Sequence, residues 1–554
     1  MLNDLKTQIQ VCLEQAFKQA YPCLDSLPEI QIETPADKAH GEFSCNVALK
    51  SAKLLKKSPL EIAQTIIEVL DKSNSLKDKI SKTEIKAPGF INFFIAKTSL
   101  YEILYDISEK GDNYGKSDFG KSQTVQIEFV SANPTGPLSV AHARQAVVGD
   151  VLASILNFTG HKASKEYYIN DGGNQINILG NSVRARALEI LGGEIDFPED
   201  GYQGEYIKDM AQLYIDNNKI KDTKGLDSTK DADISKWASE YLLDVIKKDL
   251  NDFRVEFDCW SYESKIATKD KIKDILKELK GKDLIYEKDG ALWFKSTNFG
   301  DDKDRVVQKS DSSFTYLAPD IVYHKDKFDR GFSRLINIWG PDHHGYIPRI
   351  KAAAQALGKD KEALEVLIVQ LATIYKDGKV LSMSTRRGQY ISLREVIDEV
   401  GIDAARFFFL MRHIKVHLDF DLELAKRQTP ENPVYYIQYA YARINSISKK
   451  AKEVGLKERK SKLSKLAEKE ELDLIKKLGE FENSLKFCCE QLHPYPLLSY
   501  LQELANVFHS FYDKHRVVDT DVDLSSERLT LINAAKVVLA NGLRLLGVTI
   551  PERM

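Results

Sequence analysis

The chain has little of what would mark a secreted, membrane-bound or highly charged protein. Its six cysteines in 554 residues, Cys12, Cys23, Cys45, Cys259, Cys488 and Cys489, include no Cys-x-x-Cys pair and no histidine at zinc-ligand spacing. A disulfide scaffold and a structural zinc site are thereby excluded, and the cysteines read as reduced, mostly buried thiols. No stretch approaches the ~20 apolar residues that span a bilayer, and Leu2-Asn3-Asp4-Leu5-Lys6 opens the chain without the apolar core of a secretory leader. These absences predict a cytoplasmic protein without a membrane partner. The formal net charge is only -3, so a nucleic-acid partner is not announced by bulk charge and any RNA contact must rest on local basic patches.

What is present is length, enough for three or four domains each with its own core. The chain is organised around residues 124–176. An apolar, β-branched run from Thr124 to Val130 predicts a buried strand, Asn133-Pro134-Thr135-Gly136-Pro137 breaks it, and Val147, Val148, Val151, Leu152, Ile155 and Leu156 recur at helical spacing until Gly160. A second strand near Lys165 to Ile169 completes a βαβ unit whose turn lies at the carboxyl end of a parallel sheet. The helix start offers unpaired N–H groups and the positive end of a dipole to an anion, with His142 in its first turn.

The remaining chain falls into segments around this unit. Residues 1–118 read as an α+β domain, with an opening helix on Leu5, Ile9, Leu13 and Phe17, a loop containing His40 that leads into a helix near 46–55, and a strand after the Pro-Gly break at Pro88. His40 has no partner constellation and reads as a loop or packing histidine. The nucleotide-binding segment is set at 119–375, with an insertion at about 180–300 in which 217–235 is a polar surface loop. The second half of that fold is expected to resume near Ala291-Leu292-Trp293-Phe294, continue through Arg305-Val306-Val307 to Thr315–Tyr323, and present Leu335–Trp339 as a strand ending in Gly340-Pro341-Asp342-His343-His344. Adjacent histidines cannot easily share one ion, so no metal site is assigned there.

Leu367–Tyr375 reads as one buried strand, Asp377-Gly378 as a tight hairpin, Ser392-Leu393-Arg394-Glu395 as a capping box, and Asp403 as the cap of the next helix. Residues 376–430 form a lid loop with connecting helices, and the basic loop held between hairpin and capped helix can close over a polyphosphate. From about Pro433 the pattern is helical throughout, giving an all-α domain at 431–554. There Tyr435, Tyr436, Tyr439, Tyr441 and Arg443 form an aromatic-basic stripe, a pattern used in helix packing and also for stacking RNA bases.

Pro134-Thr135-Gly136-Pro137-Leu138-Ser139-Val140-Ala141-His142 resembles the nucleotide-binding signature of class I aminoacyl-tRNA synthetases. The flanking Glu128–Pro137, Tyr202-Gln203-Gly204-Glu205-Tyr206, Asn432–Ala440 and Leu546–Met554 resemble the arginyl-tRNA synthetases in particular, in the family's order along nearly the whole chain. The resemblance implies a class I Rossmann-type catalytic domain with a connective insertion, an N-terminal tRNA-contacting α+β domain and a C-terminal helical anticodon-binding domain. It implies a monomer with ATP as substrate, Mg2+ accompanying ATP, no zinc, and L-arginine and arginine tRNA as partners.

By the same resemblance Glu128, Asn133, Tyr316 and Asp320 bind arginine, and Ser139, Ala141, His142, Gly340, Asp342, His343 and Met383 bind ATP. His142, Ser139, Met383, Ser384 and Arg386 serve catalysis, and Tyr435, Tyr439 and Arg443 meet tRNA. The chemistry agrees, because a guanidinium is a planar five-donor fork that requires rigid carboxylates, and lysine would leave acceptors unpaired, a penalty on the order of 10⁴. Two departures stand out. Ser139 and Ala141 replace the signature's first histidine and its glycine, and the lid Ser382-Met383-Ser384-Thr385-Arg386 has neither signature lysine, leaving Arg386, Arg387, Lys379 or Lys376 to supply charge. A tRNA-binding paralogue with weakened catalysis and a nucleotidyltransferase sharing the histidine signature are the competing readings.

Overall fold

The computed structural model describes residues 2–24, 26–35, 37–381 and 390–554. Near the N-terminus, helices Leu2–Ala20 and Pro59–Ser73 pack on a four-stranded antiparallel sheet in the order Ile32–Glu33, Phe43–Cys45, Phe90–Ile95, Ile80–Lys86. The second helix starts where its sequence dictates: the Ser58 hydroxyl accepts the Glu61 N–H and Pro59 needs no partner in the first turn.

The site is built on a five-stranded parallel sheet. Its strands are β1 (Thr124–Glu128), β2 (Lys162–Ile169), β3 (Cys259–Tyr262), β4 (Arg334–Trp339) and β5 (Leu364–Ile368), in spatial order β5-β4-β1-β2-β3. The strand order reverses between β1 and β4, and the carboxyl ends of these two strands frame a crevice of the kind in which such sheets bind ligands. Helix α1 (Val140–Phe158) is buried along nearly its whole length, which explains why its apolar residues recur on every side.

Helices α2 (Asn174–Ile190), α3 (Glu205–Asn218) and α4 (Asp231–Asp252) form a satellite core around Leu179, Val183, Ile207, Met210, Ala238 and Leu242. The polar stretch 217–235 is therefore not one loop. It contains the short helix Thr223–Asp227, capped by Asp222 and fixed by fully buried Leu226. Ala291–Phe294 and Arg305–Gln308 do not resume the parallel sheet; with Ile285–Lys288 they make a separate antiparallel sheet. The second half of the nucleotide fold begins with α5 (Leu317–Asp329) and β4.

The expected strand at 367–375 divides into β5 and Ala372–Lys376, which pairs with Lys379–Val380 through the Asp377-Gly378 hairpin and in parallel with Leu418–Asp421. Helix α6 (Leu393–Val400) has the capping box of Ser392 and Glu395 and stops at Gly401. Asp403 is not the cap of α7 (Ile402–Phe409). Its carboxylate instead accepts from Arg254, Gln438 and Thr549, joining the catalytic part to the C-terminal helices.

Those helices include α8 (Pro433–Glu453) and α9 (Val522–Leu545). Residues 454–468 are irregular rather than helical, because side chains of α9 satisfy their backbone: Glu527 accepts the Ser464 and Lys465 N–H groups, and Thr530 accepts that of Arg459. A second tie runs through fully buried Arg406 of α7. Its guanidinium pairs with Asp150 of α1 at 2.6 Å and donates to the Leu546 carbonyl at 3.0 Å and the Phe253 carbonyl at 2.8 Å. Gly547 lies so near that a Cβ there would sit 2.4 Å from the guanidinium. Among the described residues no helix is long and apolar enough to cross a membrane.

Candidate active site

The backbone leaving β1 is forced into an unusual path, with positive φ at two consecutive side-chain-bearing residues, Val130 (68°) and Ser131 (39°). For a β-branched residue this conformation is strained, and strain of this sort persists where surrounding bonds over-determine it. They do so here. Ser131 Oγ donates to Glu128 and accepts the Tyr168 N–H, while Tyr167 Oη donates to the Ala132 carbonyl. The kink delivers Asn133 to an exposed position, where its amide donates to Gln175 just past β2.

At the start of α1, His142 occupies the third helical position and its Nδ1 accepts the Ser139 N–H at 3.2 Å, with Ser139 Oγ at 3.1 Å. Nδ1 is thus an acceptor, leaving Nε2 as the protonated nitrogen that can donate outward. Desolvation pushes the imidazole down to about 4 despite the opposing charge of Asp342, so it is neutral at pH 7. Ala141 stands between them in the first turn. Gly340, Asp342 and His343 sit at the carboxyl end of the neighbouring strand β4, with Asp342 and His343 3.4 Å apart and exposed. The crevice thereby joins two of the three predicted sets of ATP-binding residues. Met383, Ser384 and Arg386 lie outside the described residues.

Beneath the crevice is a buried charged network. Glu128 and Glu166 are lateral neighbours on β1 and β2, and α5 supplies a cation to the first and its C-cap residue a cation to the second. Fully buried Lys327 reaches Glu128 at 2.5 Å and Asn337 at 3.2 Å, and Arg330 donates from Nη2 to both carboxylate oxygens of Glu166 at 2.8 and 2.9 Å. Tyr323 and Ser261 also donate to Glu166. Burial opposes charge on Glu166, yet Lys327, Ser261 and Arg330 hold its carboxyl below the ordinary value. His324 closes the network through Asn337 at 2.9 Å and is pushed down to about 3 by burial and by Lys327.

Asp320 is different. Burial pushes its carboxyl up to about 7, with Glu128 and Glu263 adding to the rise and a hydrogen bond from Tyr346 working against it. Among the described residues no cation pairs with Asp320 or with Glu263, whose own carboxyl is raised by burial while Tyr168 donates to it at 2.9 Å. Tyr316, at the N-terminal end of the same helix, is 80% exposed and walls nothing. The predicted arginine residues are thus brought together in part: Glu128 and Asp320 share one field, Glu128 has its own lysine, Asn133 flanks the crevice and Tyr316 stands outside it.

Sequence reasoning missed Lys327, Asn337, His324, Glu263 and Tyr346. One signal for them was available, since Asp320, His324 and Lys327 recur at helical spacing along the buried side of α5. On α8, Tyr435 and Tyr439 stack at 6.3 Å, and Arg443 lies 5.2 Å over Tyr439 and 5.0 Å over Tyr512.

The family model for the catalytic domain of class I (R) tRNA synthetases matches residues 104–421. The chain belongs to the arginyl-tRNA synthetase family. The arginyl-tRNA synthetase N-terminal domain matches 3–95 and the DALR anticodon binding domain 437–554. Arginine–tRNA ligases of Bacillus licheniformis and Bacillus subtilis are each 46% identical, over 556 and 560 residues, covering 100% of this chain and 99% of each relative. A putative arginyl-tRNA synthetase structure from Campylobacter jejuni superposes with a TM-score of 0.75 at 34% identity, over 83% of this chain and all of that one. The Thermus thermophilus arginyl-tRNA synthetase gives 0.73 at 20% identity over 98% of this chain and all of that one, a likeness of fold. The activity of this synthetase is ATP-dependent ligation of arginine to tRNA.

Proposed function

We propose that the crevice between β1 and β4 is where this chain activates L-arginine, with Asp320 as the principal guanidinium acceptor and Glu263 as its second. The observation that carries this reading is a pair of tyrosine-bound carboxylates with no cation of their own among the described residues, beside a glutamate already neutralised by Lys327. A planar five-donor fork supplies the missing charge and fills the free lone pairs. Glu128 acts through its pairing with Lys327 and its field at Asp320, and Asn133 holds the amino-acid backbone.

ATP, with its Mg2+, lies across the start of α1. His142 donates from Nε2 to phosphate oxygen, Ser139 adds its hydroxyl, Ala141 faces the nucleotide, and Gly340, Asp342 and His343 meet the nucleoside. The arginine carboxylate oxygen attacks the α-phosphorus, the bond to the β-phosphate oxygen breaks, and pyrophosphate leaves; Mg2+ bound to the phosphates would stabilise the negative charge there. The 2′-hydroxyl of the terminal tRNA adenosine then displaces AMP from the arginyl carbonyl. Met383, Ser384 and Arg386 serve the first step, and Tyr435, Tyr439 and Arg443 receive the anticodon arm. The enzyme works in the cytoplasm as a monomer.

The test is pyrophosphate exchange with arginine, lysine and citrulline, each with and without tRNA. Exchange with arginine alone is expected. Citrulline keeps the shape of arginine and loses its charge, so comparable exchange with citrulline would overturn the carboxylate-pair assignment.

A further inference from the structure

Tyr202-Gln203-Gly204-Glu205-Tyr206 is a sequence feature that none of the site roles above absorbs. In the structure it ends in a hydroxyl peg. Tyr206, in the first turn of α3, donates from Oη to the Thr135 carbonyl at 2.8 Å. From the opposite flank Tyr390 donates to the Pro137 carbonyl at 3.0 Å. Gly136 sits between them, and a Cβ on it would lie 3.0 Å from the Tyr390 oxygen and 3.1 Å from the Tyr206 oxygen. Gly204 is explained by the same construction, since a Cβ there would come within 2.4 Å of the Tyr206 ring.

The backbone continues the pattern. Leu393 N–H donates to the Leu138 carbonyl at 2.7 Å, Val140 N–H donates to the Ile391 carbonyl at 3.2 Å, and Ser139 and Ser392 form an antiparallel bridge. The segment between Asn133 and His142 is therefore held by two elements foreign to the sheet, the α3 helix of the insertion and the segment 390–393 that leads into α6.

We propose that Tyr206 and Tyr390 are positioning residues for adenylate formation, a two-hydroxyl clamp that fixes where the 135–139 turn places Asn133, Ser139 and His142. Neither tyrosine touches a reacting atom. The clamp matters because in-line attack is governed by alignment, and misplacement by about 1 Å costs on the order of 100-fold. The proposal rests on the assignment of this crevice to arginine activation.

The experiment uses the full chain in the arginine-dependent exchange assay with tRNA present, and compares wild type, Tyr206→Phe, Tyr390→Phe, the double variant, and Gly136→Ala in both the wild-type and double-variant backgrounds. Each Tyr→Phe change removes one hydrogen bond and is expected to lower kcat about 5-fold, with KM for arginine and ATP little changed. The double variant should lose about 25-fold. Gly136→Ala should lower kcat about 10-fold in the wild type and have no further effect in the double variant, where the crowding oxygens are gone. Melting temperatures recorded alongside separate alignment from folding.

A double variant within twofold of wild-type kcat would overturn the clamp. So would a Gly136→Ala loss that is the same in both backgrounds, or losses that disappear on cooling in step with the melting temperature. Absence of arginine-dependent exchange in the wild type would instead overturn the assignment of the crevice.

Discussion

The floor of the crevice and its wall treat carboxylates in opposite ways. In the floor, Glu128 and Glu166 each have a cation, from α5 and from its C-cap residue, and Tyr323, Ser131 and Ser261 complete their hydrogen bonds. In the wall, Asp320 and Glu263 have tyrosine hydroxyls and no cation among the described residues. Buried ion pairs of the first type set geometry and contribute little net stability, whereas an unpaired acidic site of the second type is costly until a cation arrives. The molecule thus holds one set of charges permanently balanced so that the other can be balanced by substrate.

The largest test of this contrast is Asp320→Asn. It should lower kcat/KM for arginine by about 1000-fold, through loss of a charged acceptor to a guanidinium, while leaving the melting temperature unchanged or raised because a desolvated carboxyl has been removed. A matching fall in stability would mean that Asp320 belongs to the floor.

Lys327→Met makes the reverse prediction. It strands Glu128 as a buried, unpaired charge and should destabilise the fold by about 3–5 kcal/mol, with recovery when Glu128→Leu is added. Denaturant unfolding of the single and double variants measures it, and an undisturbed single variant would break the comparison from the other side.

The smallest expected effect is in pH. The Asp320 carboxyl is raised to about 7, so it is neutral below that value and charged above it, and guanidinium binding requires the charged form. KM for arginine should therefore fall as pH rises toward 7, by about tenfold per unit on the acid side, and level off above. Tyr346→Phe removes the hydrogen bond that favours the carboxylate and should move the inflection to higher pH. A profile flat from pH 6 to 8 would place the arginine elsewhere.

Much of this was legible in the sequence where a local rule sufficed. The βαβ unit around Thr124–Ile169, the capping box at Ser392, the hairpin at Asp377-Gly378 and the position of His142 follow from periodicity, capping and turn chemistry. What was not legible depends on contacts across long separations. Lys327 pairs with a glutamate 199 residues away, and Glu263 takes a hydroxyl from a tyrosine 95 residues earlier. The apolar run Ala291–Phe294 looked like the parallel sheet because a buried strand has the same pattern in any sheet. Asp403 looked like a cap because acidic residues favour helix starts, and its actual partners lie on other elements.

The Arg406 tie has a consequence in time. The guanidinium that secures α1 through Asp150 waits for a carbonyl at Leu546, 140 residues further along the chain. At about 5–20 residues per second, a ribosome needs on the order of 10 s to make that interval. During it the nascent chain already contains every residue assigned here to arginine and ATP, while one of the carbonyls that Arg406 meets in the folded structure is still unmade. The bond that ties α7 to the Leu546 carbonyl thus becomes available only after every residue assigned to the chemistry has been synthesised.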